Sequence, residues 1–404
     1  MKITVIFGTR PEAIKLAPVI MALKKNKHFK CRVIVTAQHR QMLDQVLQVF
    51  NIKPDIDLNL MEKNQTLAGF AAKALTALDK CFKKEKPDMV LVQGDTTTTW
   101  AASLAAFYNK IKIGHVEAGL RTNNRYSPFP EEINRILTTH IADMHFAPTY
   151  LARENLLKEG IPKSKIFITG NTAIDALHIA LKKVRSRNYN PRFNVSTFVK
   201  VPTHNISPFV KGGKRGILIN FPFILITGHR RENFRQGFRN ICKAIKTLAH
   251  KFPDHFFIYP VHFNPNVRKY VMKTLSKEKN IILTDPVDYL SFIWLMDNCQ
   301  LILTDSGGVL EEAPSIGKPI LIMRDTTERL EALKIGAALL TGVDPVRIQR
   351  EASKILYMKL PLSYRTSRFF KKTKHDIFQS EKLYNPYGNG NAAQEIIKII
   401  EDNS

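Results

Sequence analysis

A chain of 404 residues exceeds what one hydrophobic core ordinarily organises, so two domains are expected. With 44% hydrophobic and 24% charged residues it has a soluble globular composition, and no apolar run reaches the roughly 20 residues that cross a bilayer. The formal charge of +26 suggests nucleic acid or a membrane surface as partner, but the Lys and Arg residues are scattered over helix faces and tails with no aromatic-interleaved motif, which sets both partners aside.

The four cysteines, Cys31, Cys81, Cys242 and Cys299, form no CxxC. Cys31 and Cys299 read as small buried hydrophobes, and the set fits a reducing cytoplasm. The apolar start at 3–7 is broken by Gly8-Thr9-Arg10-Pro11-Glu12, so no export signal is expected.

In chain order, short apolar runs alternate with segments of helical period. Strands are predicted over 2–7, 31–37, 89–93, 112–117, 144–147 and 165–169, with helices over 13–25, 42–50, 67–82, 97–108, 132–141 and 151–159. From about 185 to 216 the alternation stops, and Pro191, Pro202, Pro208, Gly212 and Gly213 mark a linker or surface insertion. It resumes with strands over 223–227, 255–259, 281–284, 301–304 and 319–323 and helices over 237–250, 265–275, 289–299 and 309–316. A last helix spans 392–400. The fold class is α/β: two doubly wound Rossmann-like domains, 1–184 and 217–384, joined by 185–216, with 385–404 expected to pack back on the first. Such domains, facing each other, bind ligands in a cleft at the C-terminal ends of their strands.

Chemistry in this fold sits on the loops after the strands. In the first, Gly8 permits a tight turn, and Arg10 and Lys15 beside a helix N-terminus make an anion site; an ordinary helix start at Pro11-Glu12 explains the stretch equally well. Asp95, in Gly94-Asp95-Thr96-Thr97, reads alone as a helix N-cap. Glu117, a carboxylate ending an apolar strand in His115-Val116-Glu117-Ala118-Gly119, is harder to explain structurally. Pro128-Phe129-Pro130 holds Glu131 and Glu132 at a helix start, where a charge facing the helix dipole is the plain reading. Three acids on one rim of one sheet point to proton transfer rather than to three coincidences.

The second domain offers phosphate-binding parts. Thr227-Gly228-His229-Arg230 follows its first strand, and Asp305-Ser306-Gly307-Gly308 lets backbone N–H groups approach a diphosphate. Glu312, one turn in, suits ribose hydroxyls, and Arg329 adds a cation. Other signals fail. His115-x-Glu117 lacks the P-C-x-x-C of a zinc deaminase, His140 and His145 do not share a helical face, and no strand precedes Gly388-Asn389-Gly390. Neither metal, nicotinamide nor ATP is indicated, and no cofactor is expected.

At these loops the chain resembles the non-hydrolysing UDP-N-acetylglucosamine 2-epimerases, through FGTRPEAIKLAP, TAQHRQMLDQVL, QGDTTTT, GHVEAGLRT, SPFPEEINR, FITGNTAIDAL, TGHRREN, YPVHFNPNVR, LTDSGGVLEEAPSIGKP, MRDTTER and NPYG, nearly the whole chain in order. The resemblance implies the two-domain fold shared with GT-B glycosyltransferases, a cytoplasmic homodimer, and UDP-N-acetylglucosamine and UDP as partners. It makes Asp95, Glu117 and Glu131 the catalytic acids, joined by His229. Arg10, Lys15, His229, Val287, Phe292, Ser306, Gly307, Gly308, Glu312 and Arg329 match positions that hold the UDP part, Val287 through its backbone. Some relatives bind a second UDP-N-acetylglucosamine as activator near positions matching Gln38, His39, Gln41 and His262. An arginine they use has no counterpart in Lys63-Asn64-Gln65-Thr66, which argues against that activation here. Leu330 stands where relatives usually carry proline, and 185–216 is longer than is typical.

The reaction so implied inverts C2 by eliminating UDP to 2-acetamidoglucal and adding it back with a proton on the opposite face. A hydrolysing epimerase releasing N-acetylmannosamine and a GT-B glycosyltransferase are the rival enzymes, and a basic nucleic-acid-binding protein the non-enzyme alternative.

Overall fold

The computed structural model describes residues 1–36, 40–62, 65–187, 189–191, 221–228, 236–325, 327, 329–359 and 385–404, with side chains for all but 40–42 and 359. The chain divides into two compact units, Met1–His178 with Pro386–Ser404, and Ile179–Asn385.

The first unit is built on seven parallel strands: β1 (Lys2–Phe7), β2 (Lys30–Val35), β3 (Ile56–Asp57), β4 (Met89–Gln93), β5 (Lys112–Val116), β6 (Met144–Ala147) and β7 (Ile166–Ile168). Their order is β3-β2-β1-β4-β5-β6-β7. Helices α1 (Arg10–Lys25), α2 (Arg40–Val49), α3 (Leu67–Glu85), α4 (Thr97–Tyr108), α5 (Glu131–Ile141), α6 (Tyr150–Lys158) and α7 (Thr172–Val184) follow the strands. Central β1 and β4 are covered on both faces, so they are buried in unbroken runs, 3–7 and 89–93, rather than at alternate residues. The C-terminal helix α14 (Ala392–Asp402) packs against α1, burying Ile396, Ile397 and Ile400.

The second unit has six parallel strands, β8 (Phe223–Thr227), β9 (Phe256–Pro260), β10 (Ile281–Thr284), β11 (Leu301–Thr304), β12 (Ile320–Ile322) and β13 (Ala338–Leu340), in the order β10-β9-β8-β11-β12-β13. Its helices are α8 (Gln236–Lys251), α9 (Pro265–Leu275), α10 (Tyr289–Asn298), α11 (Gly307–Glu312), α12 (Leu330–Lys334) and α13 (Pro345–Lys359). Phe238, Ile241, Ile245 and Leu248 of α8 lie on one face and fill the core with Phe257 and Tyr259. Each such side chain, fully buried, stabilises the unit by about 1.5–3 kcal/mol relative to exposure.

In each sheet the strand order reverses once, between β1 and β4 and between β8 and β11. A doubly wound sheet opens its ligand crevice beside such a reversal, at the C-terminal strand ends. The residues that leave those four strands are Gly8-Thr9, Gly94–Thr96, Gly228 and Asp305-Ser306.

Several boundaries differ from the sequence expectation. The strand predicted over 112–117 stops at Val116, because Glu117 turns into left-handed backbone at φ 65°. The strand predicted over 31–37 ends at Val35, and Cys31 is half-buried rather than buried. Helix α7 occupies 172–184, which the sequence reading leaves unassigned, and the division between units falls inside it. Strands β3 and β13 and helices α12 and α13 likewise have no counterpart in the sequence expectation. Of the segment expected as a linker, 188 and 192–216 lie outside the described residues.

Candidate active site

The first loop is organised by Glu12, which sequence alone offers as an ordinary helix-start acid. Its side chain is buried, and Oε2 accepts hydrogen bonds from Gly8 N (3.0 Å), Thr9 N (2.8 Å) and Thr9 Oγ1 (2.7 Å). Oε1 accepts from Thr96 Oγ1 (2.6 Å) and Thr99 Oγ1 (3.1 Å) at the start of α4. Burial pushes the Glu12 carboxyl up, and these hydrogen bonds oppose that shift. One carboxylate thereby ties the loop carrying Arg10 to the loop carrying Asp95. Gly8 is obligatory here, since a Cβ would stand 2.2 Å from Thr36 Oγ1 and 2.6 Å from Thr98 Oγ1.

Asp95 does not cap α4. Thr96 does, accepting from Thr99 N at 3.1 Å. Asp95 instead pairs with the Arg135 guanidinium of α5, and its backbone carbonyl accepts from Asn134 Nδ2 at 3.0 Å. Arg135 also reaches Glu132 Oε2 (3.2 Å), while Glu132 Oε1 accepts the amides of Thr122 (3.0 Å) and Asn123 (2.9 Å). The first turn of α5, where half-buried Glu131 stands, is therefore bound to both the Asp95 loop and the loop after β5. Gln93 and Val116 are register partners, so Asp95 and Glu117 leave the sheet at the same rim.

Glu117 has the most constrained position. It adopts φ 65°, a left-handed conformation that costs a non-glycine residue about 1–3 kcal/mol and persists only where surroundings impose it. Its side chain pairs with Lys15 and accepts from Asn171 Nδ2 at 3.0 Å, both on Oε2. Two residues on, Gly119 is at φ 90° with Ala152 O only 2.2 Å from where a Cβ would lie. Beneath this loop His115 is fully buried, and its Nε2–H donates to Gly94 O at 2.7 Å. Burial lowers its pKa to about 3, so it is a neutral strut between two site loops.

In the second unit, Ser306 precedes α11 with its amide donating to Thr304 Oγ1 at 2.9 Å, and its hydroxyl makes no capping bond. The Arg329 guanidinium lies on Gly307, where a Cβ would meet Nη1 at 2.8 Å, and Arg329 Nε bonds Glu311 Oε1 at 2.7 Å. Glu312 Oε1 accepts from Tyr289 Oη at 3.2 Å. Phe292 is half-buried on α10, and Val287 is buried just before it. Gly228 directly follows β8, its carbonyl held by Tyr259 Oη at 2.9 Å. The structure thus groups Gly307, Arg329, Glu311 and Glu312 at one strand end.

His229, Gln38 and His39 lie outside the described residues, and so does the side chain of Gln41. His262 is exposed after β9, with Nδ1 accepting from Asn264 N at 3.1 Å. Among the described residues no His, Cys, Asp and Glu group is arranged to hold a metal, and no helix is long and apolar enough to cross a membrane.

The family described as UDP-N-acetylglucosamine 2-epimerase matches residues 21–401. The chain belongs to the UDP-N-acetylglucosamine 2-epimerase family. It is accordingly an enzyme of the isomerase class. A UDP-N-acetylglucosamine 2-epimerase of Escherichia coli K12 is 47% identical over 403 residues, spanning 100% of this chain and 99% of that one. Among solved epimerases, the Neisseria meningitidis enzyme bound to UDP-GlcNAc is 45% identical with a TM-score of 0.85, covering 100% of both chains. The Methanocaldococcus jannaschii epimerase, in complex with UDP-GlcNAc and UDP, is 35% identical with a TM-score of 0.77, again covering 100% of both. A glycosyltransferase of kitacinnamycin, 10% identical at a TM-score of 0.57 over 98% of both chains, shares the fold, which is GT-B-like. Within this epimerase, Glu12, Glu132, Asn134, Arg135 and Asn171 tie the candidate site's loops together; the sequence offers Glu12 and Glu132 only as helix-start acids and gives the other three no role. The signals available are an Asn before a helix and an Asn-Arg pair one turn past Glu131.

Proposed function

We propose that the chain interconverts UDP-N-acetylglucosamine and UDP-N-acetylmannosamine by eliminating and re-adding UDP. A base removes the C2 proton as the C1–O bond breaks, its electrons passing to the β-phosphate of UDP. This leaves 2-acetamidoglucal, with a C1=C2 double bond. UDP then adds back at C1 while an acid delivers a proton to the opposite face of C2. Two faces require more than one acid/base group, which Asp95, Glu117 and Glu131 supply. Arg10, His229, Arg329 and the Ser306–Gly308 amides stabilise the charge gathering on UDP. Lys15, Val287, Phe292 and Glu312 complete the nucleotide's surroundings, and the working assembly is a cytoplasmic homodimer.

The observation that carries this reading is Glu117 in left-handed backbone between Lys15 and Asn171, on the rim it shares with Asp95. Backbone strain held beside paired charges occurs where a side chain must be aimed. Incubation with UDP-N-acetylglucosamine and identification of products tests the reading. UDP-N-acetylmannosamine is expected without an acceptor. Free N-acetylmannosamine as the main product, or turnover only with an acceptor sugar, would overturn it.

A further inference from the structure

Asn171 lies between β7 and α7, is 3% exposed, and has partners in the first turn of α7, in the returning chain end and in the loop after β5. Its backbone N–H donates to Tyr387 O at 2.7 Å, in the segment returning from the chain's end. Its Oδ1 accepts from Ala173 N at 2.9 Å, closing the first turn of α7. Its Nδ2 donates to Glu117 Oε2 at 3.0 Å. Because Oδ1 is held by an amide N–H, the NH2 end must face the carboxylate. The return segment is itself anchored. Gly170, at φ 86°, lets the Tyr387 carbonyl pass where a Cβ would be 3.2 Å away. Asp175 accepts the Ala392 and Ala393 amides at 3.2 and 2.9 Å at the start of α14.

We propose that Asn171 is a positioning residue for Glu117, pinning Oε2 together with Lys15 and so fixing the plane and aim of the carboxylate. This rests on the acid/base role of Glu117 proposed above. A neutral amide is well matched to that role, because it fixes the carboxylate plane without adding a second cation to the one Lys15 supplies. The cap on α7 and the Tyr387 carbonyl hold the amide itself, so the returning chain end contributes to the aim of an acid on β5's loop.

Asn171→Asp separates this from a purely structural role. Aspartate is isosteric and still accepts from Ala173 N, so α7 keeps its cap, while a second carboxyl replaces the neutral amide donor against Glu117. We expect kcat to fall about tenfold or more with KM within about twofold. In a Glu117→Gln background the same substitution should cause no further loss, since the groups it couples no longer act together. Asn171→Ser, which caps α7 but is too short to reach Glu117, should repeat both results and serves if the aspartate variant does not fold. Parental kcat in Asn171→Asp while Glu117→Gln is impaired would overturn the positioning role alone. An undiminished further loss in the Glu117→Gln background would also overturn it. Parental turnover in Glu117→Gln itself would overturn the reading beneath it as well.

Discussion

Lys15 and Glu117, 102 positions apart, form an ion pair whose side chains are 11% and 8% exposed. The sequence suggests Lys15 as a phosphate-side cation, and the structure places it on a proposed catalytic acid. A buried pair is costly to break from one side, because the remaining charge keeps its desolvation penalty without compensation.

Lys15→Met should therefore destabilise the protein by about 3–5 kcal/mol. The double variant Lys15→Met/Glu117→Gln should recover much of that loss, because no buried charge is left uncompensated. Urea unfolding of the two single variants and the double measures the coupling.

His115 sets a pH dependence of known sign. Its folded pKa is about 3 against an ordinary 6.5, so the unfolded chain binds the proton first as pH falls. Its stabilising contribution is complete above 6.5 and is lost progressively between 6.5 and 3. Glu12 and Asp175, whose carboxyls burial pushes up (Asp175 to about 6), act oppositely, costing stability as pH rises through their folded pKa values. His115→Gln should flatten the loss of stability between pH 6.5 and 4, whatever it does to stability at pH 8. Unfolding free energies across that range check this.

Gly307 and Arg329 test the proposed phosphate side. Adding a Cβ at Gly307 meets the tip of a flexible side chain, so Gly307→Ala should displace the guanidinium without disturbing the fold. Gly307→Ala and Arg329→Ala should each weaken UDP binding by about tenfold, the scale of one charge-assisted hydrogen bond, and the double variant should be no worse than Arg329→Ala. Leu330 is the first residue of α12, a position that accepts proline, so Leu330→Pro should bind UDP equally or better. Calorimetric titration with UDP measures all four.

Strands β1, β4, β8 and β11 and the turns that leave them are legible because Gly and charged residues interrupt apolar runs at those points, whereas β3 and β13, two and three residues long, are too short to show a run. The end of β5 is legible only to within one residue. Glu117 continues the run in one dimension, and nothing local announces left-handed backbone in a glutamate. The supporting shell is hidden for a related reason: Asn171 depends on Tyr387 and Glu117, and Arg135 on Asp95, partners that only the folded chain brings near. Helix α7 does carry a helical apolar spacing over Thr172–Val184, with its capping asparagine just before it.

The most direct test of the elimination–addition reading is turnover of UDP-N-acetylglucosamine in D2O, with the product examined by NMR. The C2 hydrogen must leave as a proton and return from an exchangeable acid, so UDP-N-acetylmannosamine should carry deuterium at C2. Asp95→Asn, Glu117→Gln and Glu131→Gln should each depress that turnover by about 10²–10⁴-fold, with UDP affinity little changed. Product formed without deuterium at C2, or full activity in all three amide variants, would contradict the reading.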